Sequence, residues 1–226
     1  MRRTDEDEVH GGMRVLRADG RAAAPWSNGG GVTREVAVRP QGAGWDAFDW
    51  RVSLADVTRD GPYSPLPGVR RILTVVEGAG AELTVDGSPH QLPGRFRPFA
   101  FPGAAPTGCR LLEGPIVNLN VMLREGRARA SVEIVRGAGE VPPGEGREVL
   151  VVALAGGTAV TAGPAAPAAG GESLAQLGRF DAALLPGDWS AELRTEGVAA
   201  VITLAVDGAD GMDEADGAGR TARTDC

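Results

Sequence analysis

An all-β fold made of two copies of one β unit is predicted by three observations. Gly (34) and Pro (16) are abundant among the 226 residues, which is typical of many turns between short strands. Apolar residues alternate over short runs, and no stretch shows a convincing 3.6-residue helical period. A pattern of motifs also repeats at an offset of 83 to 84 residues. Together these features indicate a sandwich or barrel.

The predicted strands are short runs of apolar and β-branched residues separated by Gly, Pro and Asp turns. In chain order they are Val32–Val38, Trp50–Val57, Arg71–Val76, Ala81–Val85, Pro98–Phe101, Pro115–Leu123, Ser131–Val135, Glu148–Leu154, Ala182–Leu185, Ser190–Arg194 and Val198–Val206. Many short strands at this spacing are typical of a sandwich or barrel.

The internal repeat aligns three motifs of the first half with three of the second. Phe99–Gly103, Arg110–Gly114 and Pro115–Leu123 align with Ala183–Gly187, Leu193–Gly197 and Val198–Val206. The two copies differ in chemistry, because Asn118 and Asn120 fall opposite Val201 and Thr203. We therefore expect the first copy to carry the chemistry and the second to serve as scaffold.

The chain divides into two predicted β units with polar ends. Residues 1–12 and 207–226 are expected to be disordered tails, and residues 13–140 and 141–206 to form the two units. The net charge is −7, but the tails hold most of it and leave the body near neutral. A near-neutral body lacks the basic footprint of a nucleic-acid-binding protein, so no nucleic-acid partner is expected.

Several other classes of protein are disfavoured by the composition. No apolar run approaches a membrane span, the first residues lack the apolar core of a signal peptide, and a cytoplasmic location is expected. Cys109 and Cys226 give no reason to predict a disulfide. The histidines, His10 and His90, have no partner at metal-ligand spacing. We expect no metal and no cofactor.

A glycine-rich segment, Trp26–Glu35, is the most unusual local sequence. It contains Asn28, Gly29 and Gly30 and continues into a predicted strand that carries Thr33 and Arg34. Consecutive glycines can leave amide groups open to an anion. The alternative is a glycine-rich turn before an edge strand with solvated charges.

Two predicted strands have a polar face that fits either solvent or a pocket wall. Arg51 and Ser53 share one face of their strand, and Asn118 and Asn120 alternate with buried apolar residues on theirs. Amides interspersed with apolar side chains suit a pocket. The residue pattern leaves the choice between pocket and solvent open.

A proline-rich loop, residues 60–71, precedes the next strand. It contains Tyr63 and Ser64 and leads to Arg71. Glu77 lies about 20 Å from Arg71 along an extended strand, so the two cannot pair. Arg71 is then available to hold a carboxylate with two hydrogen bonds, or it is a surface arginine.

These motifs together resemble the HutD/Ves family of cupin-like proteins. The resemblance is clear from about Met13 to about Arg136 and fainter to about residue 206. The matching motifs are Pro25–Glu35, Phe48–Ala55, Asp60–Gly68, Arg71, Glu77-Gly78, Pro98–Phe101, Gly114-Pro115 and Asn118–Met122.

The resemblance implies a bicupin, with two cupin-like β-barrels in one chain and no histidine metal ligands. It also implies a non-enzymatic protein that senses or regulates histidine or related amino-acid catabolism by binding a small anion such as urocanate or formylglutamate. The residues expected to bind it are Asn28, Gly29, Gly30, Thr33, Arg34, Arg51, Ser53, Tyr63, Ser64, Arg71, Asn118 and Asn120.

Two other functions remain open from the sequence. The first is a metal-independent isomerase or hydrolase for a small carboxylate, with an acid or base among Glu35, Asp60, Tyr63 and Glu77. The second is a protein-interaction module without a ligand. A homodimer is compatible with each of these functions.

Overall fold

The computed structural model describes residues 8–165 and 171–207, and these residues form 18 β-strands and no helix. The predicted tails fall partly outside this range, because residues 1–7 and 208–226, including Cys226, are not described. Residues 8–10 of the predicted N-terminal tail form a strand that pairs with residues 13–15. The all-β prediction is confirmed.

The first half of the chain forms two antiparallel sheets. The six-stranded sheet has the order β10-β7-β12-β5-β4-β3, and the four-stranded sheet has the order β6-β11-β8-β9. The strands of the six-stranded sheet are β3 (Ala23–Pro25), β4 (Gly31–Arg39), β5 (Trp50–Val57), β7 (Val69–Glu77), β10 (Phe99–Pro102) and β12 (Ile116–Arg124). Those of the four-stranded sheet are β6 (Gly61–Tyr63), β8 (Gly80–Val85), β9 (Ser88–Pro93) and β11 (Thr107–Leu111).

The second half, together with the two N-terminal strands, forms one eight-stranded sheet with a barrel-like shape. Its order is β1-β2-β17-β14-β18-β15-β16, with β13 paired to β18 off this path. The strands at the two ends, β1 and β16, lie against each other. Its strands are β1 (Glu8–His10), β2 (Met13–Leu16), β13 (Ala128–Val141), β14 (Arg147–Ala155), β15 (Thr158–Pro164), β16 (Ser173–Leu177), β17 (Ala182–Pro186) and β18 (Trp189–Val206).

The sheets do not follow the predicted division at residues 140 and 141. Strand β2 precedes that point and β13 crosses it at its last residue, yet β2 pairs with β17 and β13 pairs with β18 of the eight-stranded sheet. The division into two folding units stays a prediction. In the structure, the larger sheet takes strands from both sides of the predicted boundary.

The two halves pack together through a shared apolar core. Alternate residues of β5 and β12, among them Leu54 and Leu119, face the eight-stranded sheet and meet residues such as Leu150 and Ile202. The predicted apolar face of Pro115–Leu123 makes this contact with the eight-stranded sheet. The opposite face of β12, with Asn118 and Asn120, therefore points away from the larger sheet, into the interior of the N-terminal half.

Strand β18 replaces two predicted strands, Ser190–Arg194 and Val198–Val206. It pairs first with β15 and then with β14. The change of partner falls at Gly197, where an added Cβ would lie 2.1 Å from the carbonyl oxygen of Ala155. Because only glycine permits this approach, the strand continues where the sequence pattern predicted a break.

Gly31 is a second position where a side chain does not fit, at the end of the glycine-rich segment. An added Cβ would lie 2.2 Å from the carbonyl oxygen of Asp56. We expect Gly31→Ala to lower the free energy of unfolding by about 1–3 kcal/mol, since β4 and β5 must separate locally. Urea unfolding measures the change.

Gly108→Ala is the matched control for this prediction. Gly108 also lies in a strand, but a Cβ added there would meet nothing within 4 Å. The substitution should therefore change the free energy of unfolding little. Equal effects of the two substitutions would show that the close approach at Gly31 is not what requires glycine.

Candidate functional site

The interior face of the six-stranded sheet aligns side chains from different strands in rows. Arg71 of β7, Met122 of β12 and Arg51 of β5 lie opposite one another. In the next row Asn120 lies beside Ser53, and in the third Asn118 lies beside Ala55. Residues directly opposite on neighbouring strands share a face, so these side chains form one wall.

This wall borders a cavity of about 400 Å³ between the sheets and the loops of the N-terminal half. The volume lies within the range of small-molecule sites. The lining residues are Ala24, Pro25, Trp26, Ser27, Asn28, Thr33, Trp45, Ser53, Ala55, Pro62, Tyr63, Ser64, Leu66, Arg71, Asn118, Asn120 and Met122. Eight of the twelve predicted binding residues are therefore brought together: Asn28, Thr33, Ser53, Tyr63, Ser64, Arg71, Asn118 and Asn120.

Arg71 is the only charged residue of this lining, and it is buried, with 7% of its surface exposed. Its guanidinium carbon lies 5.0 Å from the ring centre of Tyr63 and 5.2 Å from that of Phe101. Among residues 8–165 and 171–207 it has no ion pair and no hydrogen bond, and its Nε is buried without a partner. Burial lowers the pKa of Arg71 from its ordinary value, yet a guanidinium remains charged at neutral pH.

The two asparagines of β12 are also buried and lack partners. Asn118 and Asn120 are 1% and 7% exposed, and each has a buried Oδ1 without a hydrogen-bond partner in the described part of the chain. Buried carboxamides are ordinarily hydrogen-bonded. Since both line the cavity, a ligand in the cavity is the natural partner for these two groups.

Tyr63 closes the side of the cavity next to Arg71. Its ring also packs edge-on against Trp26 at 5.8 Å between centres, and Trp26 Nε1 donates a hydrogen bond to Thr33 Oγ1 at 2.8 Å. Burial raises the pKa of Tyr63 well above its ordinary value, with a further contribution from the Cys109 thiol and an opposing one from Arg71. The phenol is therefore neutral at physiological pH.

The glycine-rich segment does not offer its amides to the cavity as predicted. The N–H of Gly29 donates to the carbonyl of Trp26, and the N–H of Gly30 donates to Asn28 Oδ1, both at 2.9 Å. Neither glycine lines the cavity. The prediction of free Gly29 and Gly30 amides is corrected, because the turn satisfies them internally.

Two predicted arginines also lie outside the lining. Arg34 points to the opposite face of β4, where it pairs with Asp56. Arg51 is on the interior face, but its Nη2 pairs with Glu35 Oε2 at 2.6 Å and its guanidinium stacks on Trp45 at 4.4 Å. The three arginines therefore differ: Arg34 and Arg51 each have a carboxylate partner, whereas Arg71 has none among the residues that the structure describes.

Trp45 and Phe101 also belong to the site, although the sequence predicted no binding role for either: Trp45 lines the cavity and Phe101 contacts Arg71. Trp45 lies in the loop between β4 and β5, is 50% exposed and lines the cavity. No periodic pattern marks a loop residue. Phe101 pairs with Arg71 across β10 and β7, and only the strand register, which the sequence does not show, reveals the contact.

Other candidate chemistry receives no support within the described residues. No group of three or more His, Cys, Asp and Glu residues there could hold a metal ion. Cys109 is buried, and burial raises the pKa of its thiol, so it is not an activated nucleophile. The described residues contain no helix that is long and apolar enough to span a membrane.

Relatives of known structure have the same overall fold. A conserved protein of unknown function from Pseudomonas aeruginosa PAO1 is 31% identical, with a TM-score of 0.75 over 87% of this chain and 99% of that one. HutD from Pseudomonas fluorescens SBW25, determined in a formate condition, is 32% identical, with a TM-score of 0.73 over 87% and 100%. Bacillus subtilis oxalate decarboxylase, a bicupin, has a TM-score of 0.58 at 11% identity, so the predicted bicupin fold is confirmed.

Sequence comparison identifies the family. An uncharacterized 21.2 kDa protein from the hutC 3′ region of Pseudomonas putida is 40% identical over 121 residues, which is 54% of this chain and 63% of that protein. The chain thus matches less than two thirds of the length of this curated relative. The HutD family itself matches residues 18–203. By this match the chain belongs to the HutD family.

Proposed function

We propose that this protein binds a small carboxylate in the cavity of its N-terminal half and acts as a non-enzymatic sensor or regulator in histidine or related amino-acid catabolism. The observation that carries the proposal is Arg71, a buried guanidinium that faces the cavity without a carboxylate partner among the described residues.

A buried cation without a partner is costly, because the protein interior does not replace the hydration of the charge. An anion that enters the cavity offsets this cost. The rings of Tyr63 and Phe101 pack against the guanidinium and accept no charge from it, which leaves its N–H groups as the place where oxygen atoms can bind. A carboxylate matches that edge with two charge-assisted hydrogen bonds.

The rest of the lining suits the body of a small organic acid. Asn118 and Asn120 offer carboxamides that have no partner in the described chain, and Trp26 and Trp45 supply apolar surface. A few placed polar groups within a largely apolar cavity are typical of metabolite sites. Urocanate and formylglutamate, expected from the family resemblance, are the first acids to test.

The pathway assignment is supported by the names of relatives. One similar structure is HutD itself, and the Pseudomonas putida relative lies in a hutC 3′ region. The second of these names places the Pseudomonas putida protein beside a hut gene. We extend the setting to this chain as part of the proposal.

Binding without turnover is favoured by the chemistry of the lining. Of the four acid or base candidates Glu35, Asp60, Tyr63 and Glu77, only Tyr63 lines the cavity, and burial raises its pKa. A neutral phenol is a poor general base at pH 7. The isomerase or hydrolase alternative therefore lacks a base in the described lining.

Thermal unfolding with a panel of small acids tests the proposal. An acid that binds the native state raises the midpoint in a concentration-dependent way, whereas its uncharged primary amide should not, because it cannot pair with Arg71. Equal shifts from acids and amides, or no shift from any acid, would contradict a carboxylate site. Incubation of each hit with the protein, followed by analysis of the acid, separates a sensor from an enzyme.

A further inference from the structure

A second arginine lies next to Arg71 on the interior wall, but its charge is already compensated. Arg51 and Arg71 flank Met122 in one row of three adjacent strands. Two strand spacings separate their backbones by about 10 Å. Arg51 is 14% exposed by its side chain and pairs with Glu35 at 2.6 Å, whereas Arg71 has no carboxylate partner among the described residues.

The charges on this wall therefore sum to a single positive charge. Arg71 is the one charged residue in the lining, and the Glu35–Arg51 pair beside it is neutral as a unit. A ligand with one carboxylate makes the site neutral. A second carboxylate would enter a region whose other polar groups are uncharged, and a buried charge without a partner is expensive.

We propose that the cavity selects monoanions, acids with one carboxylate and an uncharged remainder, and that Glu35 sets this selectivity by neutralising Arg51. Of the two acids expected from the family resemblance, the cavity then favours urocanate, which has one carboxylate, over formylglutamate, which has two. This inference rests on the proposed carboxylate function and names its ligand class.

Trp45 connects the ion pair to the cavity. Its ring lines the cavity on one side and lies 4.4 Å from the Arg51 guanidinium. If Glu35 loses its charge, Arg51 retains a net positive charge on the interior wall beside the cavity. A dianion then gains a second cation within the low-dielectric region, where such an attraction is stronger than in water.

Fumarate and its monoamide, fumaramate, are matched probes for this inference. They have similar length and shape and differ by one negative charge. For the intact chain we expect fumaramate to bind at least about tenfold more tightly than fumarate by titration calorimetry. In Glu35→Gln, fumarate should gain about tenfold while fumaramate changes by less than about twofold.

Two further variants distinguish this mechanism from a general change in charge. Glu148→Gln removes the carboxylate of another surface ion pair, Arg39–Glu148, which lies outside the cavity lining, and it should leave both affinities unchanged. Arg51→Met added to Glu35→Gln should abolish the gain for fumarate. A gain that survives this double substitution would overturn the role assigned to Arg51.

The outcomes separate the inference from the function on which it rests. Equal binding of both probes by the intact chain, or tighter binding of fumarate, overturns monoanion selectivity but leaves a carboxylate site. Absence of binding by both probes at millimolar concentration, together with no effect of any acid on thermal unfolding, overturns the carboxylate site as well.

Discussion

Arg71→Met is expected to remove most of the carboxylate affinity of the protein while leaving it folded. The charge-assisted hydrogen bonds that the guanidinium would donate contribute about 1.5–3 kcal/mol, which corresponds to a loss of affinity of roughly 10- to 150-fold. Titration calorimetry with the tightest-binding acid of the panel measures this loss.

The stability of the ligand-free protein should rise or stay the same in Arg71→Met. Methionine fills a volume similar to that of the arginine stem, and it removes a buried charge that has no partner among the described residues. Replacing buried charge by apolar volume is often neutral or stabilising. The thermal midpoint without ligand should therefore stay the same or rise.

The adjacent Arg70 supplies the control. It lies on the same strand, but its side chain is exposed and points to the other face, so Arg70→Met should change the affinity by less than about twofold. Loss of the folded state in Arg71→Met, or an unchanged affinity for the acid, would show that Arg71 is not the anion-binding group.

The strands that carry the cavity were predictable because their alternation is strict. Along β12, one set of side chains packs into the core shared by the two halves, and the other set carries Asn118 and Asn120. One register satisfies both demands, because a shift by one residue would bury the amides in the apolar core. Here local pattern and tertiary packing agree.

Short exposed strands were missed for an equally physical reason. Strands β3 and β6 have three residues each, and both contain proline. Proline lacks the donor for a ladder hydrogen bond and is tolerated at sheet edges. Their sequence pattern therefore resembles a turn, although both strands contribute residues to the cavity lining.

The pairing of charges could not be predicted either. Arg34, Arg51 and Arg71 all resemble anion-binding residues in sequence, because each stands on a predicted strand. Which of them meets a carboxylate depends on the register of other strands: Asp56 takes Arg34 and Glu35 takes Arg51. That Arg71 has no such partner within residues 8–165 and 171–207 is visible only in the assembled sheet.

The internal repeat is also clearer in the structure than in the sequence. Gly94-Arg95-Phe96 and Gly178-Arg179-Phe180 stand at an offset of 84 residues, and both phenylalanines have a φ of 67°. Each phenylalanine packs against the shared core. An L-residue rarely adopts this conformation, so its recurrence supports two related copies of one β unit.

The shared core suggests that the two halves unfold together, which Leu119→Ala tests. Leu119 is fully buried between the six-stranded and eight-stranded sheets. Truncation leaves a cavity that neither sheet can close alone, and the free energy of unfolding should fall by about 2–5 kcal/mol. In hydrogen exchange, amides of β12 and of β14 should lose protection by equal amounts, because a single cooperative unit opens.

Leu174→Ala is the control, since Leu174 is 58% exposed and its substitution should change the free energy of unfolding by less than about 0.5 kcal/mol. Loss of protection in β12 with β14 unaffected would show that the halves unfold independently.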